Sequence, residues 1–385
     1  MTTYSHSKLG TFEQCKYKYK LQYVDKIKVD IPDTIETFMG KLVHETLEKL
    51  YKDLKYQKIN SKEELLTFYE TNWNKNWKDT IIIAKKEYSW ENYYDMGKKF
   101  IVDYYDHYKP FDQYTTIGLE TEDFFDLNNG FKYSIRMDRL ACDKEGNYYI
   151  CDYKTNNQLK AQEELDEDRQ LAMYSLWVRK KYPDAKNVKL VWYFLAFDKE
   201  MISERNSEQL AMLQANTEAL IAEVEQCVDF PTEVSALCGW CKFKSICPAW
   251  KHEVELEKKT VQQFKDDDGV KLVDEFVLLD TQEKEAAQQK EEVREQIIRF
   301  SQQKGVSVVF GTENKASVKP FDKIEYPRTE EFIELLKAKG IYEELAVLNY
   351  SKFQSKIVKR EVPIEILEKI KTEQGWMVRL SKRRE

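Results

Sequence analysis

The sequence predicts an α/β core with a mixed central sheet flanked by helices, a helical insertion inside it and an α+β appendage behind it. Three observations carry this expectation. Segments rich in β-branched and aromatic residues alternate with helical patterns in the middle of the chain, as a mixed sheet requires. Helical periodicity dominates both flanks of that region. Glycine (12) and proline (8) are sparse among 385 residues, which argues against disorder and β-rich repeats and favours long helices. The expected boundaries are a core over 1–252, with its helical part at about 36–110, and an appendage over 253–385.

Ser7 is read as the N-cap of a first helix that runs through Cys15 to Tyr23, with lysines and tyrosines alternating along it. Lysine interleaved with aromatic rings suits single-stranded nucleic acid, and equally suits an amphipathic helix with half-buried rings. A second helix follows in TIETFMGKLVHETLEKLYKDL, where Val43, Leu47, Leu50 and Leu54 mark the apolar face and His44 stands beside it. Residues 61 to 108 read as further helix. After Pro110 the pattern changes to strands in TTIGLETEDFFDL, FKYSIRMDRLACD, NYYICDYKT and VKLVWYFLAFD. A helix in DEDRQLAMYSLWVRKKYP, ended by Pro183, separates the last two. Another helix in SEQLAMLQANTEALIAEVEQC leads to a cysteine-rich run.

The net charge of −7 excludes a uniformly basic nucleic-acid binder and leaves room for a local basic groove. No apolar run of membrane length and no signal-peptide pattern occurs at the N-terminus, so the expectation is a cytoplasmic protein without a membrane partner. Thiols are mostly reduced there, and clustered cysteines point to metal before disulfide.

The chemistry concentrates in RMDRLACDKEGNYYICDYKT. The turn Lys144–Glu145–Gly146 places glycine where a three-residue hairpin loop requires positive φ. Folding the strands about that turn pairs residues whose numbers sum to 290, and Asp138 falls opposite Asp152. Two carboxylates at such a position repel each other. A divalent cation offsets the repulsion, and hard oxygen ligands suit Mg²⁺ or Mn²⁺. Lys154 follows Asp152 by two residues and shares its face of the strand. Two acids and a lysine around one cation form a hydrolytic constellation, with the lysine orienting water or stabilising developing negative charge. Glu120, on the preceding strand, is a candidate for supporting the metal ligands or for holding a second metal.

Cys238, Cys241 and Cys247 form a C-x2-C-x5-C triplet that lacks a fourth ligand. His252 would complete a Cys3His zinc site, and a fourth thiolate from elsewhere would complete a cluster site. Cys142, Cys151 and Cys227 read as core thiols.

Taken together these motifs resemble the RecB-family nucleases of the PD-(D/E)XK superfamily that carry an iron–sulfur cluster, such as the CRISPR-associated RecB-like exonucleases and the AddB nuclease domain. SHSKLGTFEQC resembles the family's S-x-S-x-L-x-x-F-x-x-C, and GKLVHETLE its G-x-x-x-H-x-x-L-E helix. MDR supplies Asp138, CDYKT supplies Asp152 and Lys154, and QLAMY matches the Q-x-x-x-Y helix at Gln170 and Tyr174. The cysteine triplet comes last, so the likeness covers about residues 4–250 in order. Lys16 and Ile135 depart from the family's common Pro and Gly. The resemblance implies a restriction-endonuclease-like core. It implies metal ligation by His44, Asp138, Asp152 and the Tyr153 carbonyl, with catalysis by Asp138, Asp152, Lys154, Gln170 and Tyr174. It further implies a [4Fe–4S] cluster on Cys15, Cys238, Cys241 and Cys247.

The functional expectation is a Mg²⁺- or Mn²⁺-dependent deoxyribonuclease, an exonuclease on single-stranded or free DNA ends. Its partners would be helicase, recombination, phage or CRISPR-adaptation proteins. The alternative is a non-catalytic DNA-binding or assembly subunit that retains the fold. The absence of a G-x-x-x-x-G-K-[ST] motif argues against a motor in the same chain. Past residue 252 the sequence suggests a long charged helix from about Lys271 to Lys304 with a stop at Gly305 and a hairpin around GTEN. Its apolar positions are too sparse for a sustained coiled coil. Helices near 329–339 and 363–373, a strand in WMVRLSKRR and a basic tail complete the appendage.

Overall fold

A computed structural model describes residues 2–29, 33–85, 87–128, 130–320, 327, 329–358, 362–371, 378 and 380. The chain divides into two compact units, Met1–Lys258 and Lys259–Glu385.

The first unit is a six-stranded mixed sheet between two helical layers. A two-residue strand β1 (Thr3–Tyr4) precedes α1 (His6–Gln14) and α2 (Lys16–Tyr19), which continues as one π turn over Lys20–Val24. Next come α3 (Ile35–Lys55), α4 (Lys62–Asn76) and α5 (Trp90–Tyr108). Strands β2 (Thr115–Asp126), β3 (Lys132–Cys142) and β4 (Asn147–Lys154) form an antiparallel meander. Two helices, α6 (Gln162–Asp166) and α7 (Arg169–Lys181), cross over to β5 (Asn187–Phe194), which lies parallel to β4. Strand β6 (Lys199–Glu204) pairs antiparallel with β5, and α8 (Ser207–Gln226) and α9 (Lys251–Leu256) close the unit.

Each face of the sheet buries its own core. On one side Leu9 and Phe12 of α1, Leu171 to Val178 of α7 and Ile221 of α8 pack on Tyr133, Met137, Ile150 and Trp192. On the other, α3, α4 and α5 pack Val43, Leu47, Trp73 and Tyr104 against Ala141, Cys151, Tyr153 and Tyr193. The helix α3 buries Val43, Leu47 and Leu50 as its spacing requires, each contributing about 1.5–3 kcal/mol by apolar transfer. Alternation along β4 and β5 sends successive residues to opposite cores, so this sheet is buried on both faces.

The hairpin between β3 and β4 has the expected register, with Arg139 opposite Cys151 and Cys142 opposite Tyr148. Gly146 has φ of +87° in the turn, a conformation open to glycine at little cost. Asp143 ties that turn by accepting from the backbone N–H groups of Glu145 and Asn147.

Two expectations are corrected. The first helix does not run from Ser7 through Cys15. Ser5 is its cap, accepting from Lys8 N, and the helix stops at Gln14. Cys15 has extended backbone, φ −167°, and its sulfur caps the next helix at Lys18 N. Tyr17 N–H is drawn to the Pro231 carbonyl at 3.1 Å, so a tertiary contact breaks the helix there. The described residues of 77–89 are not helical. They contain a parallel bridge between Thr34 and Ile82, which caps the start of α3. The short strands β1 and β6 have too few apolar residues to stand out in the sequence.

The second unit contains α10 (Val261–Lys265) and α11 (Asp268–Lys304), the latter ending at Gly305, then the hairpin β7 (Val308–Phe310) and β8 (Lys315–Ser317). Short helices α12 (Glu330–Ala338), α13 (Tyr342–Leu345), α14 (Tyr350–Val358) and α15 (Ile364–Leu367) follow. The helix expected over 363–373 is thus one turn over its described part, and α14 replaces what read as connection. The strand expected in WMVRLSKRR lies outside the described residues apart from Val378 and Leu380. Among the described residues no helix is long and apolar enough to cross a membrane.

Candidate active site and a recess lined by cysteines

Strand β2 occupies one edge of β3 over its whole length. The other edge is divided between β1, which pairs at Lys132 and Tyr133, and β4, which pairs from Arg139 onward. Between them β3 leaves a notch, and Asp138 sits in it. The alternation of β3 slips there: Tyr133, Ile135 and Met137 face one core, while Arg139 stacks its guanidinium 3.9 Å over the Tyr51 ring of the other. The opposing strand is disturbed at the same level. Leu119 pairs with Arg139 and Thr121 with Met137, but Glu120 and Asp138 drop out of the ladder.

Asp138 turns toward the end of β4 instead of pairing across to Asp152. Its Oδ2 accepts from Tyr153 N at 2.8 Å. His44 arrives from α3 and closes the group, with Nε2 2.8 Å from the Tyr153 carbonyl and Nδ1 3.5 Å from Asp138 Oδ2. One helical turn earlier, Gly40 lies against the residue after Lys154: a Cβ there would lie 2.8 Å from Thr155 Oγ1, so a larger residue would require that hydroxyl to turn away. Thus His44, Asp138 and the Tyr153 backbone converge.

Asp152, 8% exposed, projects with Lys154, whose Nζ is 2.6 Å from Asp152 Oδ2. Burial favours the neutral form of Asp152, Lys154 opposes this, and Asp138's charge adds to the rise, so the carboxyl is held above its ordinary range. Burial works against the charge on Lys154 too, but Asp152 and Asp138 outweigh it and keep the ammonium protonated. Asp138 is likewise penalised by burial, but its contact with His44 and the Tyr153 N–H hold it below the usual carboxylate value. His44, which burial would neutralise, is kept above its ordinary pKa by Asp138, Asp152 and the Tyr153 carbonyl.

Gln170 and Tyr174 lie on α7. The Tyr174 hydroxyl is hydrogen-bonded to Gln170 and to the backbone of Arg136, two residues before Asp138, so this pair borders the carboxylates. Glu120 is closer still. His44, Glu120 and Asp138 each bring a ligand atom to within 4.8 Å of the others, the grouping among the described residues that fits a metal ion. Asp152 is outside it because its carboxylate is turned to Lys154. Glu120 could have been found from sequence by carrying the strand register one step further, from β3 onto β2.

The four cysteines Cys15, Cys238, Cys241 and Cys247 line one narrow recess of about 30 Å³, together with Lys18, Leu237, Phe243 and Trp250. His252 is not among its lining residues. The backbone N–H groups of Lys18 and Ser235 point at the sulfurs of Cys15 and Cys238, at 3.4 and 3.3 Å. Burial, and then the proximity of Cys15, Cys241 and Cys238, push the Cys247 thiol up. Cys151 is buried in the core, while Cys142 and Cys227 pack partly exposed at the edge of the other core.

A family model for the PD-(D/E)XK nuclease superfamily matches residues 3–248. The chain belongs to that superfamily. The matched span holds every residue of the carboxylate notch and all four cysteines of the recess, so the fold of this PD-(D/E)XK nuclease and its acid–acid–lysine set arise from one domain. Among solved structures, the chain is similar to a candidate exonuclease of Eubacterium rectale, with 14% identity, 67% of this chain and 88% of that one covered, and a TM-score of 0.38. It is also similar to SSO0001, with 16% identity, 55% and 97% covered, and a TM-score of 0.27. No curated protein matches.

Proposed function

We propose that this PD-(D/E)XK nuclease is a Mg²⁺- or Mn²⁺-dependent deoxyribonuclease that works as an exonuclease on single-stranded or free DNA ends. The observation that carries the reading is the convergence of His44, Asp138 and the Tyr153 carbonyl beside the Asp152–Lys154 pair. The residues fit a hard divalent cation: two carboxylates, a carbonyl and an imidazole gather at the end of β4. His44, Asp138, Asp152 and the Tyr153 carbonyl would hold the ion, which when bound supplies charge neutralisation at the phosphate and acidifies water. Lys154, anchored by Asp152, orients the attacking water and offsets negative charge as it develops. Gln170 and Tyr174 position the scissile strand or the lysine from α7.

We further infer that Cys15, Cys238, Cys241 and Cys247 hold a [4Fe–4S] cluster that ties the first helix to the end of the domain. The sulfurs ring a volume instead of meeting at a point. No three of them fall within 4.8 Å of one another among the described residues, whereas a single zinc at about 2.3 Å from each sulfur needs them about 3.8 Å apart. The partners consistent with this chemistry are proteins that generate or process DNA ends: a helicase, or recombination, phage or CRISPR-adaptation proteins.

The test is incubation of the purified protein with end-labelled single-stranded DNA in Mn²⁺ or in chelator. Progressive shortening in Mn²⁺ that stops with chelator supports the reading. Binding with no cleavage under either condition would make the protein an assembly subunit that kept the fold.

A further inference from the structure

Glu120 has φ of +42° in the interior of a twelve-residue strand. A side-chain-bearing residue rarely adopts this conformation, and in a strand it is costly unless the surroundings enforce it. The strain coincides with the level at which β3 slips and Asp138 leaves the ladder. Its effect is to aim the carboxylate across the strand gap at Asp138 and His44, two groups the proposed mechanism assigns to the cation. The carboxylate is half-buried, and burial, then Asp138's charge, raise its pKa. Arg136 partly offsets this, with Nη2 3.2 Å and Nε 3.4 Å from Glu120 Oε2. Arg136 itself is 68% exposed on its side chain and also reaches Glu122 at 3.6 Å.

We propose that Glu120 is a ligand of the active-site cation, completing a His44–Asp138–Glu120 site, and that its strained backbone is maintained for this purpose. Donors around one octahedral ion at about 2.1 Å lie about 3–4.2 Å apart. The three groups are within 4.8 Å of each other, so a small inward movement suffices. Glu120 then exchanges Arg136 for the ion, and the exposed Arg136 side chain, still beside Glu122, is left with its charge available to a DNA phosphate. Asp152 remains engaged with Lys154 or joins the ion from the other side. The inference rests on the cation-dependent reading of the site and adds a ligand to it.

The experiment measures melting temperature with and without Mn²⁺, and Mn²⁺ affinity by calorimetry, for wild type, Glu120→Gln, Glu120→Gly and Asp138→Asn. Glu120→Gln keeps the shape and removes the charge; Mn²⁺ affinity is expected to fall at least about tenfold, with a smaller Mn²⁺-induced rise in melting temperature. Glu120→Gly removes the ligand and relieves the φ strain, so its metal-free melting temperature should rise by a few degrees while its Mn²⁺ response falls. A purely structural Glu120 gives the reverse: a lower metal-free melting temperature in Glu120→Gly and a Mn²⁺ response equal to wild type in both variants. Either of those results overturns the proposal. If wild type itself neither binds Mn²⁺ nor cleaves DNA, it is the underlying cation-dependent reading that fails, and the proposal with it. Wild-type binding that Asp138→Asn loses and Glu120→Gln keeps removes Glu120 alone.

Discussion

The carboxylate notch and the cysteine recess lie in one domain and are built in opposite ways. The notch lies between β3 and the end of β4, a strand buried on both faces, and its groups hold one another: Asp138 by the Tyr153 N–H, His44 by the Tyr153 carbonyl, Asp152 by Lys154. The recess is built from three short 3-10 turns that contain no buried residue and from a break in the first helix. Its four sulfurs share no aligned contact with one another and receive two backbone N–H groups. A site on a packed sheet keeps its shape before its ion arrives. A site on solvated turns depends on what the sulfurs hold. The difference predicts that the same kind of change, removal of one ligand, affects folding at the recess and chemistry at the notch.

The largest effect is expected at the recess. Anaerobically purified protein should be brown, with broad absorption near ~400 nm from thiolate-to-iron charge transfer. Cys15→Ala should lose iron and solubility together, because Cys15 joins segments more than two hundred residues apart and its loss reopens that long loop. Colourless protein containing one zinc, with Cys15→Ala unaffected, would assign the site to His252 instead and remove the contrast.

At the notch, Asp138→Asn should abolish cleavage and weaken Mn²⁺ binding while the fold survives, since its neighbours remain packed. Lys154→Ala is expected to leave Mn²⁺ binding in place and reduce turnover by about 10²–10³-fold. Single-turnover rates alongside calorimetry separate the two. Equal loss of metal in both variants would mean that Lys154 supports the carboxylates and not the chemistry.

The division of the chain after Lys258 sharpens the comparison from outside. A fragment of residues 1–258 should fold, keep its iron and retain some nuclease activity, because both cores and both sites lie within it. Insoluble fragment would show that residues 259–385 complete the domain.

The smallest effect concerns the hairpin that sets the register. Burial opposes ionisation of Asp143, but hydrogen bonds from Asn147, Tyr149 and the Glu145 N–H hold its pKa down to about 2. A depressed carboxyl stabilises the fold above its unfolded value and loses that contribution as pH falls through the folded one. Wild type should therefore lose stability between about pH 4 and pH 2 by an increment that Asp143→Ala lacks, seen as convergence of their denaturant midpoints toward pH 2. Midpoints that stay separated by a constant amount would remove Asp143 as the tie of the turn.

What the sequence disclosed follows from how local each cause is. The hairpin was legible because its turn needs glycine at one position, and that fixes every pair from Arg139–Cys151 to Cys142–Tyr148. The apolar face of α3 placed His44, and the i, i+4 spacing of Gln170 and Tyr174 placed both on α7. The break at Cys15 was not legible, since the residues around it favour helix and the contact that interrupts it comes from Pro231. The slip at Asp138 and the reversed φ of Glu120 were equally hidden. Alternation assumes regular pleating, and here two strands depart from it together at one level. The helical reading of 77–89 failed for the same kind of reason, because Ile82 bridges to Thr34 across the start of α3.

Occupancy of this notch by a catalytic divalent cation underlies the proposed chemistry. Diffraction from crystals soaked in Mn²⁺, recorded at the manganese absorption edge, tests it most directly. An anomalous peak is expected between His44, Asp138 and the end of β4, about 2.0–2.2 Å from its oxygen donors. A crystal saturated with Mn²⁺ that shows no peak there, or shows Asp138 and Asp152 on opposite faces of the sheet, would contradict it.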